Sequence, residues 1–126
     1  MDDEAKFHWS EGMKYVSEGV KAMFLLNGAA TLSVLTFIGN NKVSSTQLLE
    51  AMGSFAVGAA TSPLTFLFAY LSQLKNGNAG SRKQTALDAR KFHYAAYVFF
   101  ALGLLLFLAG TGFAIAGLMS AKIIQP

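Results

Sequence analysis

The chain has 126 residues, 53% of them hydrophobic and only 13% charged, with a mean hydropathy of +0.42, whereas soluble domains carry roughly a quarter of their residues as charge. This excludes disorder, which needs low hydrophobicity, and an ordinary soluble domain, and the length suits a single domain. The net charge is +3 and cysteine is absent, so disulfides, thiolate metal sites and cysteine nucleophiles are excluded too.

Residues 3–21 open the chain as a charged helix whose acidic start, Asp2, Asp3 and Glu4, suits the positive end of a helix dipole. Trp9, Met13, Val16, Val20, Met23, Asn27, Ala30, Val34 and Phe37 are spaced alternately by four and three, an a/d seam that runs from this segment into the first apolar stretch. One continuous helix from about residue 3 to 39 is therefore expected, projecting into the cytoplasm. Glu11 and Tyr15, and Glu18 and Ala22, are i,i+4 neighbours, so charge pairing is expected to add little. The seam reads as a packing surface for another copy or a partner; the competing reading is an amphipathic helix lying on the membrane. Gly12 and Gly19 weaken an isolated helix by roughly 1 kcal/mol each, which calls for something to pack on.

The first apolar stretch, 22–39, holds no charge over 18 residues, about 27 Å of helix against a hydrocarbon core of roughly 30 Å. A cleaved signal peptide would place a basic segment directly before its apolar run; Met1-Asp2-Asp3-Glu4 opens this chain and Asn40-Asn41-Lys42 follows the run, so it reads as a retained span. Asn27 is the costliest group there to leave unpaired and should have a partner; Thr31 stacks on it at i,i+4.

The second stretch, 48–74, carries one charge, Glu50, near its start, and Pro63 is its expected bending point. Ser54, Gly58 and Ser62 make a small-residue face, and Ser54, Thr61, Thr65 and Ser72 place hydroxyls along one side. These hydroxyls, with Ser54, Thr61 and Thr65 as candidate pore lining, line a narrow wet path, or else they bond their own i−4 carbonyls and tie helices together.

Residues 75–93 form a basic loop and helix start. Lys75-Asn76-Gly77-Asn78-Ala79-Gly80-Ser81 has turn composition. Lys75, Arg82, Lys83, Arg90 and Lys91 lack interleaved aromatics and lie between two spans, so lipid headgroups rather than nucleic acid are their expected contact.

The third stretch, 94–121, has no charge. Ala89, Ala96, Gly103, Gly110 and Gly117 recur every seven residues with Phe92, Phe99, Leu106 and Phe113 between them, a pattern that lets another helix approach closely, within the chain or between copies.

Eight of the ten basic residues precede the first span or lie between spans two and three; only Lys42 and Lys122 do not. The positive-inside rule then sets the N-terminus in the cytoplasm and the C-terminus outside, with Tyr70, His93, Tyr94 and Tyr97 at the inner aromatic belt. No carboxylate, histidine or arginine lies near the centre of a span, as pumps and coupled transporters require. His8 and His93 are lone, and no Ser/His/Asp set or phosphate loop is present. No enzyme, metal, cofactor or small-molecule substrate is expected.

Leu25-Leu26-Asn27-Gly28-Ala29-Ala30, the Leu/Thr/Phe-rich run to Gly39, and Tyr70-Leu71-Ser72-Gln73 resemble a group of small three-span bacterial inner-membrane proteins. In these a cytoplasmic amphipathic helix leads into an LNG-small-small first span, and the second span ends in a Tyr-Leu-x-Gln turn. The resemblance covers nearly the whole chain and implies a fold and a compartment. Phage holins are similar in size, but their three-span members carry a basic cytoplasmic C-terminus that Lys122-Ile123-Ile124-Gln125-Pro126 does not reproduce.

The expected fold is all-α and integral to the membrane, with three spans, the first continuous with the N-terminal helix. The expected function is a non-enzymatic inner-membrane protein that self-associates, forming a pore or a membrane-permeabilising effector. Its contacts would be Trp9, Met13, Val16, Val20, Met23, Asn27, Gly103, Gly110 and Gly117. The alternative is an accessory or assembly subunit of a larger membrane complex.

Overall fold

The computed structural model describes residues 3–78 and 83–123. The fold is all-helical. Helix α1 (Asp3–Asn41) has 39 residues, α2 (Thr46–Asn78) has 33 and α3 (Lys83–Ser120) has 38. Candidate spans within Lys6–Asn41, Thr46–Lys75 and Ala89–Ser120 are each long and apolar enough to cross a membrane, and suggest a membrane protein. At about 1.5 Å per residue the helices exceed the roughly 30 Å of a hydrocarbon core by about 19 to 29 Å.

Short devices turn the chain at one end. Lys42 takes the left-handed conformation, φ 48°, which stops α1 at Asn41 in the manner of a C-terminal cap. Ser45 then caps α2: the Leu48 amide donates to Ser45 Oγ at 3.4 Å and the Leu49 amide to the Ser45 carbonyl at 3.3 Å, satisfying donors that have no partner inside the helix. Two-residue strands β1 (Val43–Ser44) and β2 (Lys122–Ile123) pair antiparallel, Val43 opposite Ile123. The end of α3 is thereby tied to the α1–α2 turn, so the three helices are flush here and their excess length lies at the opposite end.

Helices α2 and α3 pack along most of their length, while α1 lies mainly on α2 and meets α3 only sparsely. The buried apolar residues are few and mostly modest in size, among them Val20, Met23, Leu48, Ala51, Phe55 and Ala96. Leu25, Leu32, Leu105 and Leu118 are exposed on the outward faces, as suits helices whose solvent is hydrocarbon. Phe68 stacks on Phe99 with centroids 5.2 Å apart, and Phe55 meets Phe107 at 5.6 Å, so aromatic pairs fill the α2–α3 seam.

Two expectations are corrected. Tyr70–Gln73 is not a turn, nor do Lys75–Asn78 form a loop: α2 runs through both. A helix already nucleated adds residues readily, and this end is held from the side, with the Ser72 hydroxyl donating to the Ala89 carbonyl at 2.9 Å and the Lys75 ammonium over the Phe92 ring at 4.8 Å. The rest of that segment, 79–82, lies outside the described residues. Charge pairs lie along α1: Lys6 with Asp3, Lys14 with Glu11, and Lys21 with Glu18 at 2.8 Å, all at i,i+3, and His8 4.0 Å from Glu4 at i,i+4. These pairs face solvent and contribute little stability.

Candidate functional site

Asn27 is fully buried, and its Nδ2 donates to the Met23 carbonyl at 3.1 Å. Its Oδ1 is buried without a hydrogen-bond partner and faces Gly58 so closely that a Cβ there would overlap it. The expected partner is thus the preceding turn of its own helix. The carboxamide fits because α2 presents only a Cα at Gly58, and a weak Cα–H···O contact is the interaction such proximity allows. Thr31 Oγ1 donates to the Asn27 carbonyl at 2.9 Å.

The hydroxyls of α2 follow the second of their two readings. Thr61 Oγ1 donates to the Gly58 carbonyl at 2.7 Å and Thr65 Oγ1 to the Thr61 carbonyl at 2.9 Å. The two residues are 4% and 3% exposed. These two candidate pore-lining residues lie on the face of α2 that packs within the chain, Thr61 against Gly103; Ser54 is half-buried. Ser62 is buried and its Oγ has no partner among the described residues.

The residues expected at contacts between copies are largely engaged within the chain. On the seam Val20, Met23 and Asn27 are buried inside the bundle, Met13 is half-buried with Gln73 Nε2 3.8 Å from its sulfur, and Val16 is exposed. The Trp9 side chain lies outside the described residues. On α3, Gly103 abuts Thr61, Gly110 the Phe55 ring and Gly117 the Leu48 side chain. The seven-residue glycine row thus meets one α2 side chain per two turns, and the close approach it allows is taken by α2.

What the sequence did not disclose is a groove of about 370 Å³ between the three helices at their charged end. Helix α1 lines it with Val16 and Gly19, α2 with Ala69 and Gln73, and α3 with His93 and Phe100. Small residues, Gly19, Ala69 and Ala96, stand among larger ones on its three walls. A small residue on each of three helices at one depth (Gly19, Ala69, Ala96) was the available signal, legible only once their register was known.

Basic residues stand around this end. Arg90 and Lys91 are exposed and Lys75 is half-buried; Arg82 and the Lys83 side chain lie outside the described residues. His93 packs edge-on against Tyr97, centroids 4.7 Å apart, and Tyr70, Tyr94 and Tyr97 are exposed. Among the described residues no group of three His, Cys, Asp or Glu side chains could hold a metal. No family model, curated protein or solved structure matches this chain.

Proposed function

We propose that this chain is a non-enzymatic protein of a bacterial inner membrane, N-terminus in the cytoplasm and C-terminus outside, that works by associating with copies of itself. Counting about twenty residues per span from Gly39, Leu48 and Leu118 puts the inner boundary near Gly19, Phe68 and Val98. On this reading the charged helix ends project beyond the hydrocarbon, and exposed tyrosines sit at the headgroup level.

The supporting observation is the apolar surface on that projection. Phe7, Tyr15 and Val16 are 61%, 75% and 45% exposed on the charged side of the boundary at Gly19, and the a/d spacing that includes Val16 continues to Trp9. Apolar side chains at heptad spacing in water are covered most simply by the same helix of another copy. Trp9→Glu tests this: mass measurement in mild detergent should find an oligomer for the parent chain and a single 13.5 kDa chain for the variant. A parent that is already monomeric would transfer the proposal to the accessory-subunit reading. Gly112, which has open space beside it, favours that second reading, since with the exposed Ala109 and Ala116 it offers another protein's helix a close approach.

Association of this kind is also compatible with permeabilising the membrane, but any lumen would be lined from outward faces. Liposome flux, where the parent chain shows it, is therefore expected to be unchanged by Thr61→Val with Thr65→Val. A fall in flux with the bundle intact would return those two residues to the lining.

A further inference from the structure

We propose that the groove between α1, α2 and α3 holds one acyl chain of an anionic phospholipid, with the phosphate at its Arg90 end. The proposal rests on the membrane reading above and adds a specific ligand to it. The groove spans Met13–Val20, Thr65–Gln73 and His93–Phe100, so it straddles the inner boundary at Gly19, Phe68 and Val98, the depth at which a lipid's chain meets its headgroup. Its lining is almost wholly apolar. Thr65 is the polar residue at the inner end, and its hydroxyl is already committed to the Thr61 carbonyl; Gln73 and His93 lie at the other end. One end thus suits a hydrocarbon and the other a polar group.

Size and charge select the occupant. A groove of about 370 Å³ has the scale of one slender chain, and a second copy's helix, about 10 Å across, would rest on it by its side chains. Arg90, His93 and Tyr97 follow one another at i, i+3 and i+7 on α3 and so share a face, which places Arg90 one turn beyond the polar end. From Lys75 to Lys91 there are five basic residues against one acid, Asp88. Across the groove, Lys14 and Lys21 of α1 are engaged by Glu11 and Glu18. Arg90, exposed on α3, therefore brings positive charge to that side of the mouth, and it complements a phosphate that carries net negative charge rather than a zwitterionic headgroup.

The test is native mass spectrometry of the full chain after exchange into micelles holding equal amounts of phosphatidylglycerol and phosphatidylcholine with matched chains. The expected result is one phosphatidylglycerol retained per chain, in excess over phosphatidylcholine. Ala69→Phe fills the groove and should lower retention about tenfold or more, since excluding about two methylenes already accounts for that factor. Ser17→Phe, at a half-buried position on the α1 wall, should do the same and decides the matter if Ala69→Phe loses its helical signal. Arg90→Gln should keep a lipid but retain the two headgroups equally. Filling variants that fold and keep the lipid would overturn the proposal, as would a parent chain that retains both headgroups alike, or one whose groove-dependent mass is a second copy. A lipid-bearing monomer would sustain this inference and end the self-association reading; a lipid-free oligomer would do the reverse.

Discussion

Gly110→Leu is expected to destabilise the folded chain itself, by about 3 kcal/mol, the upper end of the usual cost of overpacking. A Cβ at Gly110 would lie 2.7 Å from Cε1 and 2.8 Å from Cδ1 of Phe55, and leucine adds three further carbons in the same direction. The ring has nowhere to go: Phe55 is 4% exposed and is backed by Phe107 at 5.6 Å. The contact could be relieved only by parting α2 from α3. Gly112→Leu, two residues away with nothing within 4 Å, provides the matched control and should melt with the parent chain. The measurement is thermal unfolding of all three in one detergent, followed by helical signal, with particle mass recorded alongside. Loss of oligomer mass with an unchanged melt would instead return the glycine row to contacts between copies.

How much of this was legible is best judged residue by residue. Three runs with at most one charge each were enough to expect three apolar helices, because a backbone in hydrocarbon has few ways to satisfy its own polar groups. The regular Gly103, Gly110, Gly117 spacing marked a face of close approach. Its partner was not legible, since a notch specifies the size of what enters it and not the chain it comes from. The same limit applies to the seam. Val20, Met23 and Asn27 carry heptad spacing whether the opposing surface is a second copy or α2, and only the structure places Gly58 opposite Asn27.

Local composition misled where tertiary contacts outweigh it. Asn76-Gly77-Asn78 reads as a turn on propensity, yet it completes α2, because Ser72 and Lys75 are tied to Ala89 and Phe92 one turn earlier. The hydroxyl spacing on α2 was correct as geometry and ambiguous as chemistry. A threonine facing a lumen and a threonine bonded to its own helix carbonyl have the same sequence signature, and what separates them is whether α3 covers the face. The groove escaped for a further reason: it is defined by what three helices omit at one depth, and omission leaves no periodic mark on any one of them.

Asn27→Asp should be the most damaging isosteric change in the chain. An aspartate at the centre of a membrane helix costs roughly 3 kcal/mol on insertion scales, and the exchange also removes the Nδ2 donor that now meets the Met23 carbonyl at 3.1 Å. Nothing nearby offsets the charge: the acceptor atom of Asn27 already lacks a hydrogen-bond partner, and the Cα of Gly58 is too close for another group to intervene. Asn27→Ala is expected to be far milder, about 1 kcal/mol, because the packing it loses is partly offset by removing a buried, unsatisfied carbonyl. The Met23 carbonyl keeps its place in the α1 hydrogen-bond ladder in both variants, so the contrast isolates the cost of the charge. Unfolding of the two variants in the same micelle, with yield from the membrane fraction as a second readout, gives the comparison. If the aspartate variant proves no worse than the alanine one, water reaches this position. Asn27 would then lie on an open path through the bundle rather than in its sealed centre.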